Sequence, residues 1–535
     1  MQSPPNDQAT PIPPFNDLEG CQDNIQAIFS WFDRNRRMLL GVVVMLYLVS
    51  FNSFWHIGND SALYVELARN IAEGQGFTYH GQPHRWVEPG LPYLLATTFS
   101  VGGVETFWPA NLTILAIGLA TIGLTYAVML QVTSRPVAVV VTVATAISIT
   151  LFKYAFQLLT EVPFVCGVML FMMGYEWFAI RSGPSRKRSV AGVILIIAGC
   201  WSMILMRPVF LTFAGAAVMA CVIEFVRGRS RWQHLVVAII VVGTLFAFRS
   251  VDPRRGDGMA AQRDEKIKTV FVDKLDSLIH RVITANIPEM FNEATPEAVF
   301  GMELGPGVSI FGTILVVTAC LTMLITRRTL WAVWVAATIV QLVIMSPAAR
   351  YWVPILPFVM YACVRGLTVL NRRFPEPYAG WAVAAGLILL IGPNFGKTVG
   401  LIAEQRSPAY YDTLESGTYP PLMQLAEVIN ESVSDDDIVI SQYGRILSYF
   451  SRRRVITPPK GDVPVTVWSR HCKQLREARH IYVTLPGYTL LSRYTDTLHL
   501  TVNETADYET NTWRLHRVTM DASIDCDAPN AFGED

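Results

Sequence analysis

Charge is scarce in this chain and evenly split. Only 16% of its 535 residues are charged, and 43 bases offset 43 acids, so a net charge of zero gives no reason to expect a nucleic-acid partner. The N-terminus lacks the basic stretch and short apolar core of a cleaved signal peptide; Pro4, Pro5, Pro11, Pro13 and Pro14 stand among polar residues instead. Residues 1–36 therefore read as a disordered cytoplasmic tail. Beyond that start there is no internal repeat and no low-complexity tract, and nowhere the glycine pattern of a P-loop or a dinucleotide fingerprint. Apolar residues are what the chain has in excess. At 52% of the total, gathered in long runs with the charges between them, they indicate a polytopic membrane protein rather than a soluble one.

The runs lie at about 37–55, 108–131, 136–153, 158–179, 189–206, 208–226, 233–249, 308–326, 329–346, 351–370 and 379–397. Each approaches the ~20 residues that cross ~30 Å of hydrocarbon. Basic residues collect at alternate ends: Arg34, Arg36 and Arg37; Arg135; Arg181, Arg186, Lys187 and Arg188; Arg227, Arg229 and Arg231; Arg327 and Arg328; Arg372 and Arg373. With the N-terminus inside, every cluster is cytoplasmic, an agreement that an even number of spans would break, so about eleven spans are expected. Three pieces then lie outside: a loop over about 56–107, a segment over about 250–307, and everything after about 400.

The first loop opens with a helical run that starts at Gly58-Asn59-Asp60-Ser61 and ends with a stretch from Pro89 to Ala96, too short to span, which lies in the interface or re-enters. The second piece mixes Arg254, Arg255, Asp257, Arg263, Asp264, Glu265, Lys266 and Lys268, and reads as a solvated linker or surface helix pair. The third alternates short β-rich runs (438–441, 480–484) with helical spacing (421–429), as a small external α/β domain over 400–535 would. Of the eight cysteines, only Cys472 and Cys526 fall in that domain, where an oxidising compartment would allow them to pair.

Ionisable residues at membrane depth cost at least ~2.5–3.5 kcal/mol each on insertion scales and mark partnered or functional positions. Glu161 stands at the start of the fourth span, Arg207 between the fifth and sixth, and Arg350 before the tenth, all on the same side as Asp60. A shared cavity with two carboxylates and two guanidinium groups accounts for all four; snorkelling to the interface accounts for either arginine alone. Asp60 also has a second use open to it, as a helix N-cap, although Asn59 and Ser61 are equally capable.

In order, Asp60 with Tyr64 and Ala68 on one helical face, then Thr160-Glu161-Val162-Pro163-Phe164, Arg207-Pro208, and Arg350-Tyr351 followed by Pro354 and Pro357, this chain resembles the membrane glycosyltransferases of the GT-C fold. The likeness is to the branch with bacterial aminoarabinose transferases and protein O-mannosyltransferases, and it covers about residues 37–397. It implies a polytopic α-helical, GT-C-like transferase in a bacterial inner membrane, with catalytic loop and C-terminal domain on the periplasmic side. It implies transfer of a sugar from a polyprenyl-phosphate donor to a lipid, glycan or protein acceptor, by inverting displacement. Asp60 corresponds to the family's loop aspartate, the general base, and Glu88 to a second acid that some relatives carry, which would orient the acceptor or bind an amine on it; an interfacial acid before a Pro-initiated helix is the other reading of Glu88. Some relatives place a lysine directly after that acid; Pro89 stands there here, which leaves Arg85, Arg207 and Arg350 as candidates for the lipid phosphate, with Tyr351 adding a hydroxyl. Tyr64 and Glu161 complete the expected substrate site. His56, His80 and His84 share the loop with these acids, but Gly81 and Pro83 keep the last two off one helix face; loop chemistry is the expectation for them, and no cofactor or metal is assigned. The turn Ser441-Gln442-Tyr443-Gly444-Arg445 follows a strand but lacks a phosphate-loop glycine pattern, so the C-terminal domain is expected to recognise acceptor or partner. A multi-pass transporter or flippase of a lipid-linked glycan is the competing class, since it too gathers charge around a cavity, but it predicts inverted repeats that are not visible here.

Overall fold

The computed structural model describes residues 23–84, 87–104, 106–180, 186–228, 232–251, 279–302, 317–318, 321, 323, 328–345, 348–371, 378–406, 419–457, 465–485, 500–502, 507–509, 514–520 and 526. The chain begins its described course with a correction. Residues expected in a disordered tail form helix α1 (Asp23–Arg34), whose Ile25 and Phe29, one turn apart, are buried in the core of the helical bundle; residues 1–22 lie outside the described residues. Helix α2 (Arg36–Val49) follows, then α3 (Asn59–Ala72), the hairpin of β1 (Thr78–Tyr79) and β2 (Gln82–Pro83), and α4 (Gly90–Gly102).

The bundle continues with α5 (Trp108–Val132), α6 (Arg135–Ile147), α7 (Ile149–Tyr154), α8 (Glu161–Tyr175, extended by a wide turn over Glu176–Ile180), α9 (Arg186–Met206), α10 (Phe210–Val226) and α11 (Trp232–Val251). A wound segment over 282–300 (α12), α13 (Thr329–Met345), a 3-10 turn Ala349–Ile355 leading into α14 (Leu356–Asn371), and α15 (Tyr378–Gln405) complete it. Among the described residues six helical stretches are long and apolar enough to cross a membrane, and three shorter apolar helices accompany them, as an integral multi-pass protein requires. The expected span at 308–326 lies almost wholly outside the described residues.

Two local devices shape this bundle. Helices α8 and α9 run antiparallel with glycines facing: a Cβ on Gly174 would stand 2.8 Å from the Ile196 nitrogen, and one on Gly199 would stand 2.7 Å from the Gly167 oxygen. Small residues at such spacing let backbones touch, and here they set the start of α8 beside the end of α9. The second device is a break. The run expected as one span over 136–153 divides at Ser148, and the backbone groups this frees are met by side chains: Ile149 N–H donates to Asn394 Oδ1 at 3.1 Å, and Thr398 Oγ1 donates to the Ile147 carbonyl at 2.9 Å. Unmet backbone groups at this depth would cost several kcal/mol each, on the order given by apolar transfer. Asn394 also donates to the Val299 carbonyl at 2.9 Å, and the Ser148 hydroxyl to that of Ala298 at 3.1 Å. Residues 290–300 of the segment expected as a linker are thus core, with Met290, Ala294, Ala298, Val299 and Phe300 buried in the bundle, while Ile279 and Ile283 are exposed and residues 252–278 and 303–307 lie outside the described residues.

The C-terminal residues fold as the expected α/β unit. Strands β3 (Ile438–Ile440), β4 (Val455–Ile456), β5 (Ile481–Leu485), β6 (Leu500–Val502), β7 (Tyr508–Glu509) and β8 (Arg514–Met520) form one sheet ordered β4-β3-β5-β8-β6, with β7 also on β8. The β4-β3-β5 side is parallel and β8 runs antiparallel to its neighbours. Crossover helices α17 (Gly444–Ser451) and α18 (Val465–Glu477) join the parallel strands, after α16 (Tyr419–Ser432). Cys472 and Cys526 are disulfide-bonded, their Cα atoms 5.6 Å apart.

Candidate functional site

The start of α3 decides what Asp60 does. Gly58 is the N-cap, in extended conformation, and Ser61 Oγ accepts its N–H at 2.9 Å, so the capping work falls to Ser61. Trp55 Nε1 also donates to Ser61 Oγ, at 3.2 Å, which fixes this turn. Asp60 is left to face other elements, and two arginines meet it. Arg350 Nη1 donates to Oδ2 at 3.1 Å, and Arg445 Nη1 donates to Oδ1 at 2.7 Å, so the carboxylate is bracketed from both oxygens.

Below this layer lies a second. Antiparallel packing of α8 on α9 brings Glu161 Oε1 to 3.0 Å from Arg207 Nη1, a charge pair by distance rather than a directed hydrogen bond. Helix α9 ends at Met206, just before Arg207-Pro208, where the proline disfavours a further helical residue. Tyr351 links the layers: the Arg207 guanidinium lies 5.3 Å and that of Arg350 4.7 Å from its ring centre, and its hydroxyl accepts from Arg350 Nη2 at 2.6 Å. Tyr64 lies one turn after Asp60, beside the Thr160 side chain. Burial pushes the Tyr64 hydroxyl up to about 12, with the Arg207 charge pulling down and Glu161 and Asp60 pushing up.

The layers differ in access. Side chains of Glu161 and Arg207 are 4% and 13% exposed, whereas Asp60, Arg350 and Arg445 are 39%, 35% and 39% exposed. Three guanidinium groups against two carboxylates leave the cluster one positive charge in excess. It can therefore accept an anion from solvent or lipid at the upper layer, while a carboxylate stands beside it to take a proton.

Six expected residues, Asp60, Tyr64, Glu161, Arg207, Arg350 and Tyr351, come together here. Glu88 is half-buried just before α4, whose first residue packs on α9: a Cβ on Gly90 would stand 2.6 Å from the Leu205 oxygen. Arg85 lies outside the described residues. The histidines go to loop packing. His80 Nε2 lies 2.7 Å from Ser448 Oγ, and burial, with the charges of Arg454 and His84, pushes its ring down to about 3. His84 packs edge-on against Phe77 and Tyr79. Burial and the Lys153 charge bring His56 down to about 4. Among the described residues no three His, Cys, Asp or Glu side chains gather as a metal site would require.

Arg445 was missed. It comes from the C-terminal domain, where the turn after β3 carries it to Asp60; Gly444 permits that turn, since a Cβ there would stand 2.9 Å from the Ile456 carbonyl carbon. The turn over 441–445 lacks the glycine pattern of a phosphate loop, so its sequence alone does not mark Arg445. Helix α17 is docked on α3 along its length. Ser448 Oγ donates to Glu66 Oε1 at 3.2 Å, Arg69 Nη1 donates to the Tyr449 carbonyl at 3.2 Å, and Tyr449 packs edge-on to Trp55 at 4.9 Å. The domain expected only to recognise partners supplies a side chain of the charged cluster.

No known family profile matches this chain, and no curated protein sequence does. Solved structures do. ArnT from Cupriavidus metallidurans in the apo state is similar over 92% of this chain and 98% of its own, with a TM-score of 0.50 at 13% identity. The Archaeoglobus fulgidus oligosaccharyltransferase, tethered with an acceptor peptide containing the NVT sequon, is similar over 85% of this chain and 69% of its own, with a TM-score of 0.50 at 14% identity. Both have the GT-C fold of membrane glycosyltransferases, and this chain has that polytopic helical fold.

Proposed function

We propose that this protein transfers a sugar from a polyprenyl-phosphate donor to a lipid, glycan or protein acceptor, at the periplasmic face of a bacterial inner membrane. One observation carries the reading: an accessible carboxylate, Asp60, bracketed by two guanidinium groups at the foot of a membrane bundle of GT-C fold. In the reaction an acceptor oxygen attacks the anomeric carbon as the bond from that carbon to the phosphate oxygen breaks. The bonding pair leaves with the phosphate, whose charge the guanidinium groups offset, and the acceptor proton passes to Asp60. Attack opposite the departing phosphate inverts the anomeric centre. Glu88 orients the acceptor. Tyr64, its hydroxyl held protonated by burial, donates a hydrogen bond at neutral pH.

The test is a membrane preparation supplied with donor labelled in the sugar. Label passing to an acceptor, with matching release of polyprenyl phosphate, is expected. Label that crosses the membrane still attached to its lipid, with none transferred, would support the transporter class and sink the proposal.

A further inference from the structure

The pair of arginines on Asp60 raises a chemical difficulty. Each oxygen of the carboxylate already accepts from a guanidinium group, so an acceptor hydroxyl must share an oxygen with one of them. Yet the same two groups are the accessible cations of the cluster; Arg207 is sealed against Glu161 and stacked on Tyr351. Arg350 belongs to the membrane bundle and Arg445 to the C-terminal domain, and each approaches a different oxygen of Asp60. Asp60 is the one hydrogen-bond partner of the Arg445 side chain among the described residues.

We infer that Arg445 is a phosphate-binding residue contributed by the C-terminal domain, and that the donor phosphate and Asp60 compete for Arg350 and Arg445. The inference rests on the proposed glycosyl transfer and adds to it an order of events. A phosphate dianion or diester offers oxygens in the same fork geometry as a carboxylate and can draw both guanidinium groups from Asp60. Asp60, its oxygens released by the two guanidinium groups, is then free to accept a hydrogen bond from the acceptor hydroxyl once a donor is bound. Docking of α17 on α3 through Ser448, Arg69 and Tyr449 sets Arg445 within reach, so the C-terminal domain completes the donor site.

Competition makes an unusual prediction: removing an acidic residue from the site strengthens binding of an anion, and removing a cation weakens it. Full-length protein in lipid nanodiscs is titrated with a fifteen-carbon polyprenyl phosphate, the matching polyprenol and inorganic phosphate, following tryptophan fluorescence. The wild type is expected to prefer the polyprenyl phosphate to both others. Arg445→Gln should weaken its binding about ten-fold or more, as loss of a charged hydrogen bond implies, and Arg445→Lys less. Asp60→Asn should tighten it by a comparable factor. Unchanged binding in Arg445→Gln, or weakened binding in Asp60→Asn, overturns the inference while leaving glycosyl transfer standing. A wild type that binds polyprenol as well as polyprenyl phosphate removes the donor assignment, and the inference with it. Tightening by Asp60→Asn of inorganic phosphate alone assigns the site to free phosphate and also overturns it.

Discussion

Helix α8 carries a glutamate at each end, and the two ends put it to different use. At one end Glu176 meets Arg328 at 3.1 Å, with the side chains 3% and 14% exposed. Nearby, the Thr329 hydroxyl donates to the buried Glu224 carboxylate and accepts from Arg227, which is itself exposed. At the other end Glu161 and Arg207 are sealed in the same way, but a second layer lies over them, with Asp60, Arg350 and Arg445 open to solvent. The last of these cations comes from outside the bundle. A balanced, buried pair ties helices together; an open cluster with a spare positive charge has capacity for a ligand. The pairs look alike by residue type and are distinguished by what covers them.

Breaking the sealed pairs should produce the largest losses of stability. Arg328→Met and Arg207→Met each leave a buried carboxylate without its partner, which costs about 3–5 kcal/mol. Thermal unfolding of the purified protein should show both as strongly destabilised, with much of the loss restored when Glu176→Gln or Glu161→Gln is added to match. By contrast, Arg445→Gln removes a pair that is more than a third exposed, and its effect on the same unfolding temperature should correspond to about 1 kcal/mol or less. Equal destabilisation by Arg445→Gln and Arg207→Met would erase the distinction between the layers.

A titration sharpens the comparison from the docking side. Burial pushes the Glu66 carboxyl from its ordinary 4.5 up to about 7, against the pull of the Arg69 charge and the Ser448 hydroxyl. Between those values the folded protein holds a proton that the unfolded chain has released. The stabilisation is full below the unfolded value and is lost as pH rises through about 7. Raising the pH from about 5 to about 8 should therefore loosen α17 from α3 and lower the unfolding temperature, and Glu66→Gln should flatten that slope. A steeper slope in the variant would contradict the assignment.

Much of the bundle was legible because the bilayer makes sequence explicit: apolar runs mark the spans, alternating arginines their ends, and charges too costly to bury idly mark Glu161, Arg207 and Arg350. Where that logic has no purchase, the reading failed. The break at Ser148 depends on Asn394 and Thr398, and Asn394 lies 245 residues beyond the N–H it serves, a distance no periodicity reports. Ile25 and Phe29 stand in a short amphipathic helix too short to span, and their burial follows from neighbours rather than from a long apolar run. Residues 290–300 are packed by a handful of small and apolar side chains that follow a charge-rich stretch. Arg445 escaped for a related reason. In a soluble domain an arginine carries no insertion cost, so nothing in its surroundings marks it until the fold lays it against Asp60.

The most direct trial of the account is turnover by Asp60→Asn protein whose folding has been verified by its unfolding temperature. With the open layer as the chemical one, sugar transfer from a polyprenyl-phosphate donor should fall by about 10²–10⁴ while the unfolding temperature stays close to that of the wild type. Transfer within a few-fold of wild type by that folded variant would contradict the account.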